Sequence, residues 1–309
     1  MPDGPRVSVI VIFLDEERYL EEAVASVRGQ TLADWELLLV DDGSTDGSPG
    51  IARRLAAADP ARIRCLEHPG HANRGMSASR NLGLAAARGE FVAFLDADDV
   101  WLPQRIERGA TLLDAHPEAD MVYGRTQYWS SWAGARAVGQ DWVQPHGFRA
   151  ERTIAPPELL LMFLRGDAAL PCMGSLTVRR AAACAGGGFV ESFTGLYEDQ
   201  AFLARFCLDH AVYVSDEQWD RYRQHPDSAC ATAARDERAE RARAAYYDWL
   251  AAFLSARGLR DGPLWHAARR SRASSDPRWY ARIGRALRRT ARRFRAADAG
   301  TRIGEDRRS

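Results

Sequence analysis

Apolar residues near the start of the chain come in short, unbroken runs. Val7–Phe13 (VSVIVIF) is apolar at all but one position, which predicts a strand covered on both faces rather than one with a wet side. Residues 36–40, 62–67 and 91–95 read as further strands. Between them the spacing turns helical: Tyr19, Leu20, Ala23, Val24 and Val27 fall on one stripe of a helix over 16–28, and helices follow over 51–58 and 76–87. Strand and helix alternating at this pitch predict right-handed parallel crossovers, hence a doubly wound α/β sheet. Beyond Pro103 the pattern loosens. Helices are predicted over 105–115, 156–164 and 198–208, and strands over 121–123, 175–179, 212–214 and 219–223. Residues 127–149, rich in Trp, Gly and polar residues, predict a loop or a small antiparallel excursion.

The run at 91–95 stops at Asp96-Ala97-Asp98-Asp99. Three carboxylates in four positions cannot share an apolar site without compensation. Ligands of open α/β sheets sit just beyond the carboxyl ends of the strands. A D-x-D spacing there lets Asp96 and Asp98 reach one hard divalent ion, Mg²⁺ or Mn²⁺, brought in with a phosphate ligand. The same letters also suit an acidic turn before a helix, and Asp99 is assigned that capping role.

Composition narrows the class. The 309 residues suffice for one large or two modest domains, and 46% apolar with 27% charged residues is a globular balance. Net charge is zero and lysine is absent, so no nucleic-acid partner is expected. Five widely spaced cysteines without a C-x-x-C pair predict free, mostly buried thiols in a reducing cytoplasm. The N-terminal residues lack a signal-peptide layout, and no apolar run reaches membrane-spanning length. From 231 onward the chain reads as helical and arginine-rich. Residues 278–295 set Trp279, Ile283, Leu287 and Phe294 against eight arginines. That stripe suits packing on the body of the protein, and it also suits peripheral contact with the inner face of an anionic membrane.

Five segments together resemble the family 2 glycosyltransferases, over about residues 7–233. They are VSVIVIFLDEERYLEEAVASVRGQT, LLLVDDGSTDGS, GMSASRNLGLAAARGEFVAFLDADD, GGGFVESFTGLYEDQAFLARF and WDRYRQHPDSA. The resemblance implies a GT-A-like fold, an α/β, mostly parallel sheet flanked by helices with a helical C-terminal extension. It implies a nucleotide-sugar-binding half (1–100), an acceptor-binding and catalytic-base half (101–230) and an arginine-rich extension (231–309). The donor would be a nucleotide-diphospho-sugar, by family habit UDP-linked, and the acceptor a carbohydrate or lipid-linked hydroxyl. By the same resemblance, Ile12, Leu14, Glu16, Asp42, Arg80, Asp96 and Ala97 contact the nucleotide sugar. Here Ile12, Leu14 and Asp15 replace the family's usual Pro, Tyr and Asn. Asp98, Asp96 and His225 ligate Mg²⁺ or Mn²⁺, and Asp199 is the base of an inverting transfer. Glu198 and Arg223 fall on the acceptor side, with Arg223 placed to meet the diphosphate leaving group.

A dinucleotide-dependent oxidoreductase would need a G-x-G-x-x-G turn after the first strand, where this chain has Leu14-Asp15-Glu16-Glu17. A non-catalytic nucleotide-sugar-binding protein of the same fold is the alternative.

Overall fold

The computed structural model describes residues 4–137, 139–233 and 238–273, so the basic segment at 278–295 lies outside the described residues. The first part runs β1 (Val7–Phe13), α1 (Leu20–Arg28), β2 (Trp35–Asp41), α2 (Ser48–Ala58), β3 (Ile63–Glu67), α3 (Met76–Ala86) and β4 (Phe91–Asp96). Next come β5 (Val100–Trp101), α4 (Arg105–Ala115), β6 (Met121–Trp129), β7 (Trp142–Val143), β8 (Arg152–Ile154) and α5 (Glu158–Arg165). The rest is β9 (Leu176–Arg179), α6 (Arg180–Ala185), α7 (Glu198–Asp209), β10 (Val212–Arg223), α8 (Ala229–Ala233), α9 (Arg238–Ala256) and α10 (Pro263–Ala273).

One sheet runs in the order β3-β2-β1-β4-β9-β6-β10-β5. The first four strands are parallel, as their unbroken apolar runs predict. β9 then enters antiparallel to both β4 and β6, and β10 is again parallel to β6. Alternation along the buried strands separates two cores. Val7, Val9, Val11 and Phe13 join Leu37, Leu39 and α1, α2 and α4 on one face. Ile10, Ile12, Leu38 and Val40 face α5, α7, α9 and α10 on the other.

Three expectations change. The first helix starts at Leu20 rather than 16, because the amides of Asp15, Glu16 and Glu17 bond to side chains of the turn after β2. The strands predicted over 212–214 and 219–223 are one strand, β10, carried across a polar interruption by a register shift against β6. β6 is likewise longer than the predicted 121–123. Its end pairs with β7 as a hairpin in which Tyr128 and Trp142 stack at 4.2 Å, giving structure to part of the unassigned 127–149 stretch. Among the described cysteines only Cys207 is buried, while Cys65 and Cys184 are exposed, so the expectation of mostly buried thiols fails.

Gly124 lets β6 and β10 close up. A Cβ there would lie 2.6 Å from the Trp219 ring and 2.6 Å from the Glu217 carbonyl. Trp219 is almost fully buried. Gly124→Ala is therefore expected to destabilise the protein by about 1–3 kcal/mol, the usual range for overpacking. Chemical denaturation reads this out, and an unchanged midpoint would show that β10 yields freely there.

Candidate active site

The carboxyl ends of β1, β2 and β4 are level: Ile12 stands beside Val40 and Asp96, and Phe13 beside Asp41. A cavity of about 1030 Å³ opens beyond them. Ile12, Leu14, Glu16, Asp42, Asp96, Ala97 and Asp98 line it from the parallel half, and Glu198 and Asp199 from the start of α7. The sequence-predicted donor and base residues thus share one cavity, with Arg80, Arg223 and His225 outside its lining.

The acidic turn after β1 is shaped by the turn after β2. Asp15, at φ 57°, accepts hydrogen bonds from the Thr45 and Asp46 amides. The Asp15 and Glu16 amides in turn donate to Ser44 and Ser48 hydroxyls. This leaves Glu16 on the cavity wall, where burial, then Asp98 and Asp96, push its carboxyl up to about 8. Asp42 accepts the amides of Arg74 and Gly75, holding the loop that leads into α3.

Arg80 was expected on the nucleotide. It is instead 1% exposed on α3, bonded to Glu198 at 2.7 Å and to Asp96 at 2.7 Å. It lies beneath the floor and ties the end of β4 to the start of α7. Glu198 is thereby engaged with Arg80, and both it and its neighbour Asp199 lie on the cavity lining. Burial, then the adjacent Glu198, raise the Asp199 carboxyl to about 7, against the Gln200 amide that it accepts at 2.7 Å.

Arg223 is corrected in the same way. Its guanidinium is enclosed by Tyr19, Trp129 and Trp132, each within 5 Å of its central carbon. It donates to Glu22 and to the Asp98 carbonyl at 2.6 Å each, so it holds the D-x-D turn instead of facing a leaving group. Asp99 does not cap α4, which begins after Gln104. Its carboxylate takes the Arg223 amide at 2.8 Å and staples β10 to the turn.

His225 is buried, with Nε2 3.0 Å from Asp98 and Nδ1 without a hydrogen-bond partner. The carboxylates of Asp96 and Asp98 at this floor are oxygen donors of the kind Mg²⁺ and Mn²⁺ take, with one Asp96 oxygen on Arg80 and one Asp98 oxygen on His225. The one group among the described residues whose potential ligand atoms all lie within 4.8 Å of one another is a different one, Asp41, Glu67 and His71, at and just beyond the ends of β2 and β3.

Sequence reasoning missed the far wall. Arg243, Tyr247 and Arg270, from α9 and α10, line the same cavity, as do Tyr128 and Trp142 of the β6–β7 hairpin. Nothing in the periodicity of the arginine-rich helices marks them, because a charge that lines a cavity and one that faces solvent leave the same sequence trace.

Comparison with known proteins gives the family and the fold. The model of the family described as "Glycosyl transferase family 2" matches residues 8–182. An uncharacterized glycosyltransferase of Nostoc sp. is 45% identical over 117 residues, 38% of this chain and 34% of that protein. The O-antigen biosynthesis protein RfbC of Myxococcus xanthus is 33% identical over 199 residues, 62% of this chain and 14% of that protein. The chain thus spans only about a third or less of these relatives' length. Among solved structures, S. aureus TarS with UDP-GlcNAc superposes with a TM-score of 0.62 at 18% identity, over 80% of this chain and 66% of that one. The mannosyltransferase PcManGT of Pyrobaculum calidifontis, in complex with GDP-Man and Mn²⁺, does so at 0.58 and 20%, over 97% and 77%. At those identities the structures speak for the fold, which is that of GT-A glycosyltransferases, and no helix among the described residues is long and apolar enough to cross a membrane. With the family model covering more than half of its length, the chain belongs to glycosyl transferase family 2.

Proposed function

We propose that the protein is an inverting glycosyltransferase that moves a sugar from a nucleotide-diphosphate donor, UDP-linked by family habit, to an acceptor hydroxyl. The observation that carries this reading is the single cavity shared by Asp96, Asp98 and Asp199. Ile12, Leu14, Glu16, Asp42 and Ala97 form the donor's side. Asp98, Asp96 and His225 would hold Mg²⁺ or Mn²⁺. Bound there, the ion supplies the charge neutralisation that a departing diphosphate requires.

The chain's own residues do the rest. Asp199 takes the proton of the acceptor hydroxyl as its oxygen bonds to the anomeric carbon, and the bond from that carbon to the diphosphate breaks. A single displacement of this kind inverts the anomeric centre. Glycoside hydrolysis would instead need two carboxylates flanking the bond, one of them acting as acid. Arg80 and Arg223 act as positioning residues: the first aims α7 by holding Glu198, the second fixes the D-x-D turn. The O-antigen name of one relative supports cell-surface polysaccharide assembly as the setting.

Asp199→Asn is expected to lower kcat by roughly 10²–10⁴-fold, the span of general-base catalysis, with nucleotide binding nearly unchanged. Turnover at the original rate would remove Asp199 from the reaction. The base must be ionised to work, and its carboxyl is raised to about 7. So kcat/KM should climb with pH through that value and fall about tenfold per unit below it. A flat profile from roughly pH 5.5 to 8 would contradict the assignment. Asp98→Asn should weaken Mn²⁺-dependent binding of the donor nucleotide by about tenfold or more. A titration indistinguishable from that of the unaltered protein would mean that Asp98 serves only the turn.

A further inference from the structure

The group formed by Asp41, Glu67 and His71 is set up by strand register. Asp41 ends β2, Glu67 ends β3, and the two are direct partners across the parallel pair. Neighbouring carboxylates repel each other unless a cation stands between them. Among the described residues no arginine is within ion-pair distance of either. His71 is brought to them by a tight turn in which Gly70 and His71 are both left-handed, at φ 69° and 55°. None of the three lines the cavity.

The state of the imidazole follows from its partners. Nε2 lies 2.8 Å from the Ser44 carbonyl, which can only accept, so Nε2 carries a hydrogen. In the neutral ring Nδ1 is then a lone pair. It faces Glu67 Oε2 at 3.4 Å and Asp41 Oδ2 at 3.8 Å. The Asp41 side chain is only 6% exposed. Its Oδ1 takes the Ser44 amide, while Oδ2 has no hydrogen bond among the described residues. A buried carboxylate oxygen and an imidazole lone pair are thus aimed at one point.

A surface ion pair between His71 and Glu67, four residues apart, is the plainest account, and such pairs are worth little. It leaves Asp41 unexplained, and the spacings are long for it. A proton on Nδ1 would draw a carboxylate to about 2.7–3.2 Å. Donors around a tetrahedral Zn²⁺, each about 2.0–2.2 Å from the metal, stand about 3.3–3.6 Å from one another. An imidazole in the set also favours zinc and its neighbours over Mg²⁺, which holds to oxygen.

We propose that Asp41, Glu67 and His71 bind a Zn²⁺-type divalent ion, at a site distinct from Asp96 and Asp98, with water completing the tetrahedron. Such an ion ties the ends of β2 and β3 to the loop before α3. That loop supplies Asn73 and Gly75 to the cavity, and Asp42, next to Asp41, receives the Arg74 and Gly75 amides. The ion therefore braces the donor wall without lining it. This reading does not depend on the transfer reaction.

The test uses the full chain, stripped of metal by a chelator and titrated with Zn²⁺, and with Co²⁺ for the strong visible absorption that tetrahedral coordination gives it. His71→Ala and Glu67→Gln are the variants, because their side chains are 40% and 60% exposed and the fold does not rest on them. Each should weaken Zn²⁺ binding at one site by at least about tenfold, while Asp98→Asn leaves that site filled. Excess Mg²⁺ should leave the tetrahedral Co²⁺ band in place. A Zn²⁺ isotherm unchanged in both variants would overturn the proposal. So would loss of all Zn²⁺ binding in Asp98→Asn, which would put the ion on the floor. The unaltered chain decides independently of any variant: no Zn²⁺ bound, a weakly absorbing octahedral Co²⁺, or a Co²⁺ band erased by Mg²⁺ would each sink the site.

Discussion

Arg80 is enclosed within the protein with one terminal nitrogen on Asp96 and the other on Glu198, residues more than a hundred positions apart. Burying Arg80 and Glu198, with Asp96 a third exposed, gains little net stability, because desolvation offsets most of the attraction. What the triad supplies is position. Removing the guanidinium would leave two carboxylates facing each other in a poorly hydrated space, so the end of β4 and the start of α7 are held at one separation. Adjacent helix residues point in different directions, so with Glu198 committed to Arg80, Asp199 is the carboxylate of α7 on the cavity that no ion pair among the described residues holds. The entry to α7 reinforces this: Tyr197 lies in the left-handed region at φ 71° and stacks on Tyr246. A non-glycine residue keeps that conformation only where its surroundings impose it.

The same turn is secured from its other side by β10. Arg223 holds the Asp98 carbonyl, its amide meets Asp99, and His225 touches Asp98. The D-x-D turn is therefore wedged between two buried arginines that never reach the cavity. Both had looked like ligand-binding cations from the sequence. Binding arginines and scaffold arginines are separated by burial and partners, and neither is written in the letters.

That contrast marks what could be read in advance. The parallel strands were legible because burial on both faces forces unbroken apolar runs, and Asp96–Asp98 because a carboxylate pair ending such a run is costly unless used. β6 and β10 were only partly legible. Each crosses a stretch (Gly124-Arg125, and Ser215 to Gln218) whose polarity imitates a loop, and pairing across the sheet overrides that local signal. The β6–β7 hairpin depends on Asp141 receiving the Ser130 and Ser131 amides, a contact that no periodicity announces. Asp99 was misassigned because a carboxylate before a helix is the ordinary cap, whereas here its partner comes from β10, far along the chain.

The cavity is left with an acidic floor at the carboxyl ends of β1, β2 and β4. There burial first, then Asp98 and Asp96, push Glu16 up to about 8, and Asp42, Asp96, Asp98 and Asp99 line the same wall. A diphosphate cannot approach such a surface unless a cation comes with it. In the proposed reaction a nucleotide therefore reaches this end of the cavity with its cation, and Asp199, which lines the cavity from the start of α7, is left to the acceptor.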